Sequence, residues 1–154
     1  MSLTIRRATH SDLSALLALY SHLDPKDDIP TIEQASERLE QLTRYHGSCI
    51  LIGLADDILV SSCTLIVIPN LTRGGQLYAL IENVVTHTSH RGQGYGKAML
   101  REAVACAWQA DCYKVMLMTG SKRPSTLAFY ETAGFEQSKT GFQIRRLPPR
   151  QDIQ

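Results

Sequence analysis

The chain has 154 residues, 44% of them hydrophobic and 20% charged, enough to enclose one sizeable core but cramped for two independent domains. A formal charge of +1 and no long basic run exclude broad electrostatic attraction to nucleic acid or to an anionic membrane. No apolar stretch approaches the roughly 18 residues of a membrane span, and Met1-Ser2-Leu3-Thr4-Ile5-Arg6-Arg7 holds no apolar signal core, so a cytoplasmic protein is expected.

In chain order, Ile5 to Ala8 reads as a short strand, and Thr9-His10-Ser11-Asp12 as a capping-box start with the acid three residues after the hydroxyl. Leu13, Leu16, Leu17, Tyr20 and Leu23 recur at helical spacing until Asp24-Pro25 ends the segment, because a residue before proline avoids the helical region. Thr31 opens a second helix with Ile32, Ala35, Leu39 and Leu42 as its buried stripe. The period then changes. Cys49 to Ala55, a turn at Asp56-Asp57, and Ile58 to Ile68 predict a hairpin. Pro69 to Gln76 is polar and reads as a loop, and Leu77 to Thr86 is an apolar central strand interrupted by Glu82 and Asn83.

Gly94 to Ala110 predicts a helix with Met99, Leu100, Ala103, Val104, Ala107 and Trp108 on its apolar face. Lys114 to Thr119 is the next strand, Ser125 to Ala133 a shorter helix closed by Gly134, and Phe135 onward a strand running through Phe142 to Arg145. Leu147 to Gln154 is expected to be a frayed tail. Four cysteines and five histidines show no Cys-x-x-Cys or His-x-x-x-His spacing, so no metal site is expected and Cys49, Cys63, Cys106 and Cys112 read as free core thiols.

The most informative stretch runs from Val84 to Lys97 and joins a buried strand to an amphipathic helix. Backbone N–H groups at a helix start lack intrahelical partners and carry the positive end of the dipole, so they can hold a pyrophosphate that no side chain obstructs. Gly92, Gly94 and Gly96 remove the obstruction, and Arg91 and Lys97 add charge-assisted contacts. A dinucleotide fingerprint would need glycine where Lys97 stands, and a Walker-type loop would need Ser or Thr where Ala98 stands. A purely structural turn is the remaining alternative, but three alternating glycines behind an arginine add backbone entropy that turn geometry alone does not justify.

Arg91-Gly92-Gln93-Gly94-Tyr95-Gly96 resembles the acyl-CoA pyrophosphate loop of the GNAT superfamily of N-acetyltransferases, with the same strand before it and helix after it. Ser125-Thr126-Leu127-Ala128-Phe129-Tyr130-Glu131-Thr132-Ala133-Gly134-Phe135 resembles that family's Asn-x-x-Ala-x-x-Phe-Tyr-x-x-x-Gly-Phe segment, with Ser125 where asparagine is frequent. The resemblance implies an α/β fold in a single domain over residues 1–146, with a mixed, mostly antiparallel central sheet flanked by helices on both faces. It also implies acetyl-CoA as cosubstrate. The cofactor would be held by Val84, Val85, Thr86, Arg91, Gly92, Gln93, Gly94, Tyr95, Gly96, Lys97, Thr119 and Ser125, and homodimerisation is expected.

Acetyl transfer to an amine needs a neutral nucleophile, a stabilised oxyanion and a protonated leaving thiolate. Glu82, on the strand leading to the loop, is the candidate base, directly or through a water; a structural salt bridge is its competing role. By the resemblance, amides around Val84, Val85 and Thr86 polarise the thioester and Tyr130 protonates the sulfur, while Phe129 packs in the core. His87 and His90 are read as solvent-facing and receive no role. Ile81-Glu82-Asn83-Val84-Val85 and Cys112-Tyr113-Lys114-Val115 resemble glucosamine-phosphate acetyltransferases, and Ser121-Lys122-Arg123 resembles aminoalkylphosphonate acetyltransferases. The expected acceptor is a small amine carrying phosphate or phosphonate, gripped by Lys122 or Arg123. Acetylation of a protein N-terminus or lysine, and non-catalytic sensing of acyl-CoA, stay open.

Overall fold

The computed structural model describes residues 2–149. They divide into two compact units, up to Leu117 and from Met118. The first holds strands β1 (Leu3–Arg7), β2 (Cys49–Ala55), β3 (Ile58–Ile68), β4 (Leu77–Thr86) and β5 (Cys112–Leu117), with helices α1 (Leu13–Tyr20), α2 (Ile32–Thr43) and α3 (Tyr95–Gln109). The second holds α4 (Pro124–Thr132).

The capping box forms as its spacing predicts. Thr9 N–H donates to Asp12 Oδ2 at 2.7 Å, and Arg6 grips the same carboxylate with both terminal nitrogens, at 2.8 and 2.9 Å. α1 then buries Leu13, Leu16 and Leu19. Leu19 was absent from the expected stripe, while Leu17 and Tyr20 sit at its half-buried margin. Thr31 caps α2 by accepting from Gln34 N–H at 3.2 Å, and Ala35 and Leu39 are buried. Ile32, expected in that stripe, is instead 47% exposed.

The strands lie in the order β1-β2-β3-β4-β5, antiparallel except for the parallel β4–β5 pair. Asp56 and Asp57 turn the β2–β3 hairpin with φ of 49° and 63°, the left-handed pair whose twist suits a two-residue connection. Alternation along β2 separates two faces. Ile50 and Ile52 pack with α1 and α2, whereas Ala55 packs with Tyr95 at the start of α3. Gly53 belongs to the α3 side, where an added Cβ would come within 3.0 Å of Met99 Sδ, so glycine lets that helix approach. α1 and α2 therefore cover one face and α3 the other, and α3 also spans the crossover that a parallel β4–β5 pair requires.

Some expectations fail. Trp108 is 52% exposed, because the inward face of α3 runs through Met99, Leu100, Ala103, Cys106 and Ala107 and leaves position 108 outside it. β5 runs Cys112–Leu117, two residues earlier than expected, so Thr119 lies past its end. In the second unit, Gly134 takes φ 101° after α4, and Phe135 N–H returns to Tyr130 O at 3.1 Å, so the glycine closes the helix as expected. No strand follows among the described residues. Phe142 and Ile144 are 93% and 101% exposed although their alternation reads as a half-buried strand. Alternation supplies the side chains of a strand but not the ladder partner that defines one. Leu147 to Pro149 are exposed, and the remainder of the expected tail, 150–154, lies outside the described residues.

The Arg6 guanidinium, aided by hydrogen bonds from Thr9, holds the Asp12 carboxyl well below the usual carboxylate range. A depressed folded value contributes stability above the unfolded value near 3.9 and loses it as pH falls from there toward the folded one. Asp12→Asn should cost about 1 kcal/mol at pH 7, and the gap should narrow below about pH 4. Urea titrations of both proteins at pH 7 and pH 2.5 check this; an equal gap at both values refutes it.

Candidate active site

The interruption of β4 by polar residues has a geometric cause. Thr64 of β3 pairs with Glu82, and Ser62 with Val85, so one intervening β3 residue faces two on β4. The extra residue is accommodated at Asn83, which takes φ 52°, a left-handed conformation that asparagine tolerates better than most residues. The bulge reverses side-chain parity. Ile81 lies opposite Leu65, on the face where Cys63 meets the Met99 carbonyl of α3, whereas Val85 packs with Leu16 and Leu19 of α1. Glu82, opposite Thr64, shares the α1 face and is half-buried. Pairing of β4 with β5 stops at Ile81–Leu117, so residues 82–86 have no β5 partner on that side.

Beyond the bulge the chain is braced. Ser61 Oγ donates to Val85 O at 2.9 Å and meets Thr86 Oγ1 at the same distance, while His87 N–H donates to Val60 O at 2.8 Å. Arg91 donates through Nε to Thr86 O and through Nη2 to His22 O, each at 3.2 Å, tying the segment after α1 to the end of β4. The first bond of α3 runs from Ala98 N–H to Gly94 O, and among the described residues the amides of Gly92 to Lys97 donate to no protein acceptor. Gly92 and Gly94 take φ of 76° and 81° with nothing within 4 Å of a built Cβ, so their absent side chains leave open space in front of those amides. The helix start expected from the glycine-rich run is present as geometry: N–H groups without partners among the described residues stand at the positive end of a 15-residue helix.

Tyr95 departs from its expected surroundings. Its side chain is only 6% exposed, packed with Ala55 and Val60, and its hydroxyl has no partner among the described residues. His87 and His90 are half-buried rather than solvent-facing: the His87 ring lies 4.0 Å from that of His22 and 5.3 Å from that of His90. Ser89 N–H donates to His87 Nδ1 at 3.2 Å. Burial, followed by the neighbouring His87 and Arg91, pushes His22 below its ordinary value. His22 was not singled out from sequence, because 65 residues separate it from His87 and no local pattern joins them.

In the second unit, Phe129 and Tyr130 are both half-buried, and their rings meet edge to face at 5.0 Å instead of diverging. Ser125 is exposed in the first turn of α4, and Thr119 accepts from Ser121 N–H at 3.2 Å in the preceding loop. All four cysteines are free and buried. Burial pushes Cys49 up to about 11 and Cys63 up to about 12, which leaves both protonated and poorly nucleophilic near neutrality. Among the described residues no group of three or more His, Cys, Asp or Glu side chains is arranged to hold a metal ion, and no helix is long and apolar enough to cross a membrane.

A bulged strand leads to helix-start amides without partners among the described residues, and comparison with known proteins gives the class. The model of the acetyltransferase (GNAT) family matches residues 14–135. The glucosamine 6-phosphate N-acetyltransferase of Trypanosoma brucei brucei is 33% identical over 137 residues, 88% of this chain and 90% of that protein. A solved structure of a proposed acetyltransferase from Agrobacterium tumefaciens str. C58 is 44% identical, with a TM-score of 0.86 over 93% of this chain and 99% of that one. The glucosamine-6-phosphate N-acetyltransferase of Arabidopsis thaliana, at 21% identity and a TM-score of 0.81 over 96% and 99%, shares the fold. The chain belongs to the GNAT acetyltransferase family and is an acetyl-CoA-dependent N-acetyltransferase.

Arg91→Ala should lower stability by about 1 kcal/mol, since two carbonyls lose a charged donor on an exposed brace. Arg91→Lys should recover less than half, because an ammonium cannot span both acceptors. Urea midpoints measure both, and an unchanged midpoint for the alanine variant would show that the brace carries nothing.

Proposed function

We propose that this protein transfers the acetyl group of acetyl-CoA to the amino group of a small phosphorylated amine of the glucosamine 6-phosphate kind. The observation that carries the proposal is the run of six unpartnered amides, Gly92 to Lys97, opening α3 directly after the strand that bears Glu82. Those amides receive the coenzyme pyrophosphate, with Lys97 and the free edge of the Arg91 guanidinium adding charge. Val84, Val85 and Thr86 offer backbone to the pantetheine arm on the side of β4 that lacks a β5 partner. By the family resemblance, Thr119, through its backbone, and Ser125 also contact the coenzyme.

The chemistry is a direct attack. An ordinary amine is mostly protonated near neutrality, so Glu82 removes a proton to free the lone pair. The lone pair adds to the thioester carbonyl, and the oxyanion is held by the amides beside the bulge, whose geometry is set before the substrate arrives. Collapse expels the coenzyme thiolate, which takes the phenolic proton of Tyr130; the second proton of the adduct nitrogen leaves to solvent, and solvent restores the phenol. Lys122 or Arg123 neutralises the acceptor's phosphate. The similarity to glucosamine 6-phosphate N-acetyltransferases at 33% and 32% identity favours this acceptor over a protein substrate.

Calorimetry with coenzyme A tests the donor site, and thiol release with a panel of amines tests the acceptor. Glucosamine 6-phosphate should be used at least about 100-fold more efficiently than glucosamine, the worth of a well-placed charged contact. Equal turnover of uncharged amines removes the phosphate from the proposal, and no heat of coenzyme binding removes the site. Gly94→Ala should weaken coenzyme A by about tenfold or more while costing about 1 kcal/mol of stability, because its new Cβ meets only open space and a strained φ. Glu82→Gln and Tyr130→Phe should each lower kcat by about 100-fold or more with coenzyme affinity retained; full activity in either variant removes that residue from the mechanism.

A further inference from the structure

Three histidines meet where the chain leaving α1 crosses the end of β4. The half-buried His22 ring lies 4.0 Å from that of His87, which in turn lies 5.3 Å from that of His90. Two contacts fasten His22 to the turn 87–91. Its Nδ1 accepts from Thr88 N–H at 3.5 Å, and its carbonyl accepts from Arg91 Nη2 at 3.2 Å. Arg91 also donates to Thr86 O, so one guanidinium joins both segments just before the glycine run. Partial burial, followed by His87 and Arg91, holds His22 below its ordinary value near 6.5. The turn thus presents His87, His90 and Arg91 to this cluster, and β3 beneath it offers only the uncharged Val60 and Ser61. On its own segment His22 is followed by Asp24, Lys26 and Asp27, where Asp24 Oδ1 accepts from Lys26 N–H at 2.9 Å. In an imidazolium both ring nitrogens donate, so a protonated His22 loses its acceptor for Thr88 N–H and sets a positive charge beside Arg91.

We propose that His22 is a proton-operated latch: its neutral ring holds the turn 87–91 against the end of α1, and proton uptake releases that turn together with the anchor of Arg91. A depressed folded value favours the closed turn above the ordinary value, and that stability is lost as pH falls below about 6.5. His90 Nδ1, buried without a partner among the described residues, gains water on opening, which lowers the cost of release. Release leaves the glycine-rich start of α3 on an untied segment. Anion binding depends on donors fixed in advance, so the coenzyme then binds more weakly. This last consequence rests on the coenzyme site proposed above; the latch itself does not.

Hydrogen exchange of the full chain, corrected for intrinsic rates, reads the turn through the Thr88 and His90 amides, the second of which donates to His87 O at 2.8 Å. Their protection should fall by about threefold to tenfold between pH 7.5 and pH 5.5, tenfold being the ceiling for one group with an ordinary value near 6.5. His22→Asn, whose Oδ1 accepts from an N–H without taking up a proton, should keep its protection within about twofold over that range. His22→Lys, charged throughout, should show at pH 7.5 the low protection that the unsubstituted chain has at pH 5.5. Flat protection in the unsubstituted chain, or an equal loss in His22→Asn, overturns the latch. If His22→Asn does not fold, undiminished protection of His22→Lys at pH 7.5 overturns it instead. Calorimetry with coenzyme A reads the output: between pH 7.5 and pH 5.5 the unsubstituted chain should lose about threefold more affinity than His22→Asn, a comparison in which titration of the coenzyme itself cancels. The same loss in both proteins overturns the link to the coenzyme. No heat at either pH refutes the coenzyme site, and the exchange data then decide the latch alone.

Discussion

One extra residue in β4 governs the arrangement around the site. Because Asn83 adopts a left-handed conformation opposite β3, the strand gains a residue without losing its place between its neighbours. Upstream of the bulge, Ala79 and Ile81 serve the α3 side of the core; downstream, Val85 serves the α1 side. Glu82 is thereby placed on the α1 face beside two buried hydroxyls, and the backbone after it leaves its parallel partner. A regular strand with the same composition could have continued its pairing with β5 past Ile81.

The loop after β4 applies the same economy of partners. Six amides at the start of α3 are without acceptors among the described residues, and that deficit is tolerable because the surrounding chain is tied down: Ser61 to Val85 and Thr86, His87 to Val60, Arg91 to Thr86 and His22. Rigid supports with unsatisfied donors bind an anion with little reorganisation. Tyr95 contributes from beneath, where its ring packs on Ala55 and Val60 and sets the first turn of α3 against the sheet.

Opposite fates met two kinds of polar residue in the paired strands β3 and β4. Glu82 and Asn83 were legible in the sequence as an anomaly, since nothing in a period-two pattern explains adjacent polar side chains in a central strand. Thr64 and Ser62 were not, because Thr and Ser are ordinary in strands and their burial depends on the β3–β4 register. The histidine trio was equally hidden: His22 meets His87 only when the end of α1 folds over the end of β4.

By itself the sequence determined what local chemistry can specify. Capping at Thr9 and Thr31, the Asp56-Asp57 hairpin, the glycine-rich start of α3 and the closing Gly134 all depend on residues within a few positions of one another, and all formed. Only the tertiary structure decided which way β4 turns its side chains, that Trp108 falls outside the inward stripe of α3, that Tyr95 points into the core, and that Phe142 and Ile144 have no ladder partner among the described residues. Each of these depends on a contact or a register between segments far apart in the chain, and periodicity carries no record of a partner.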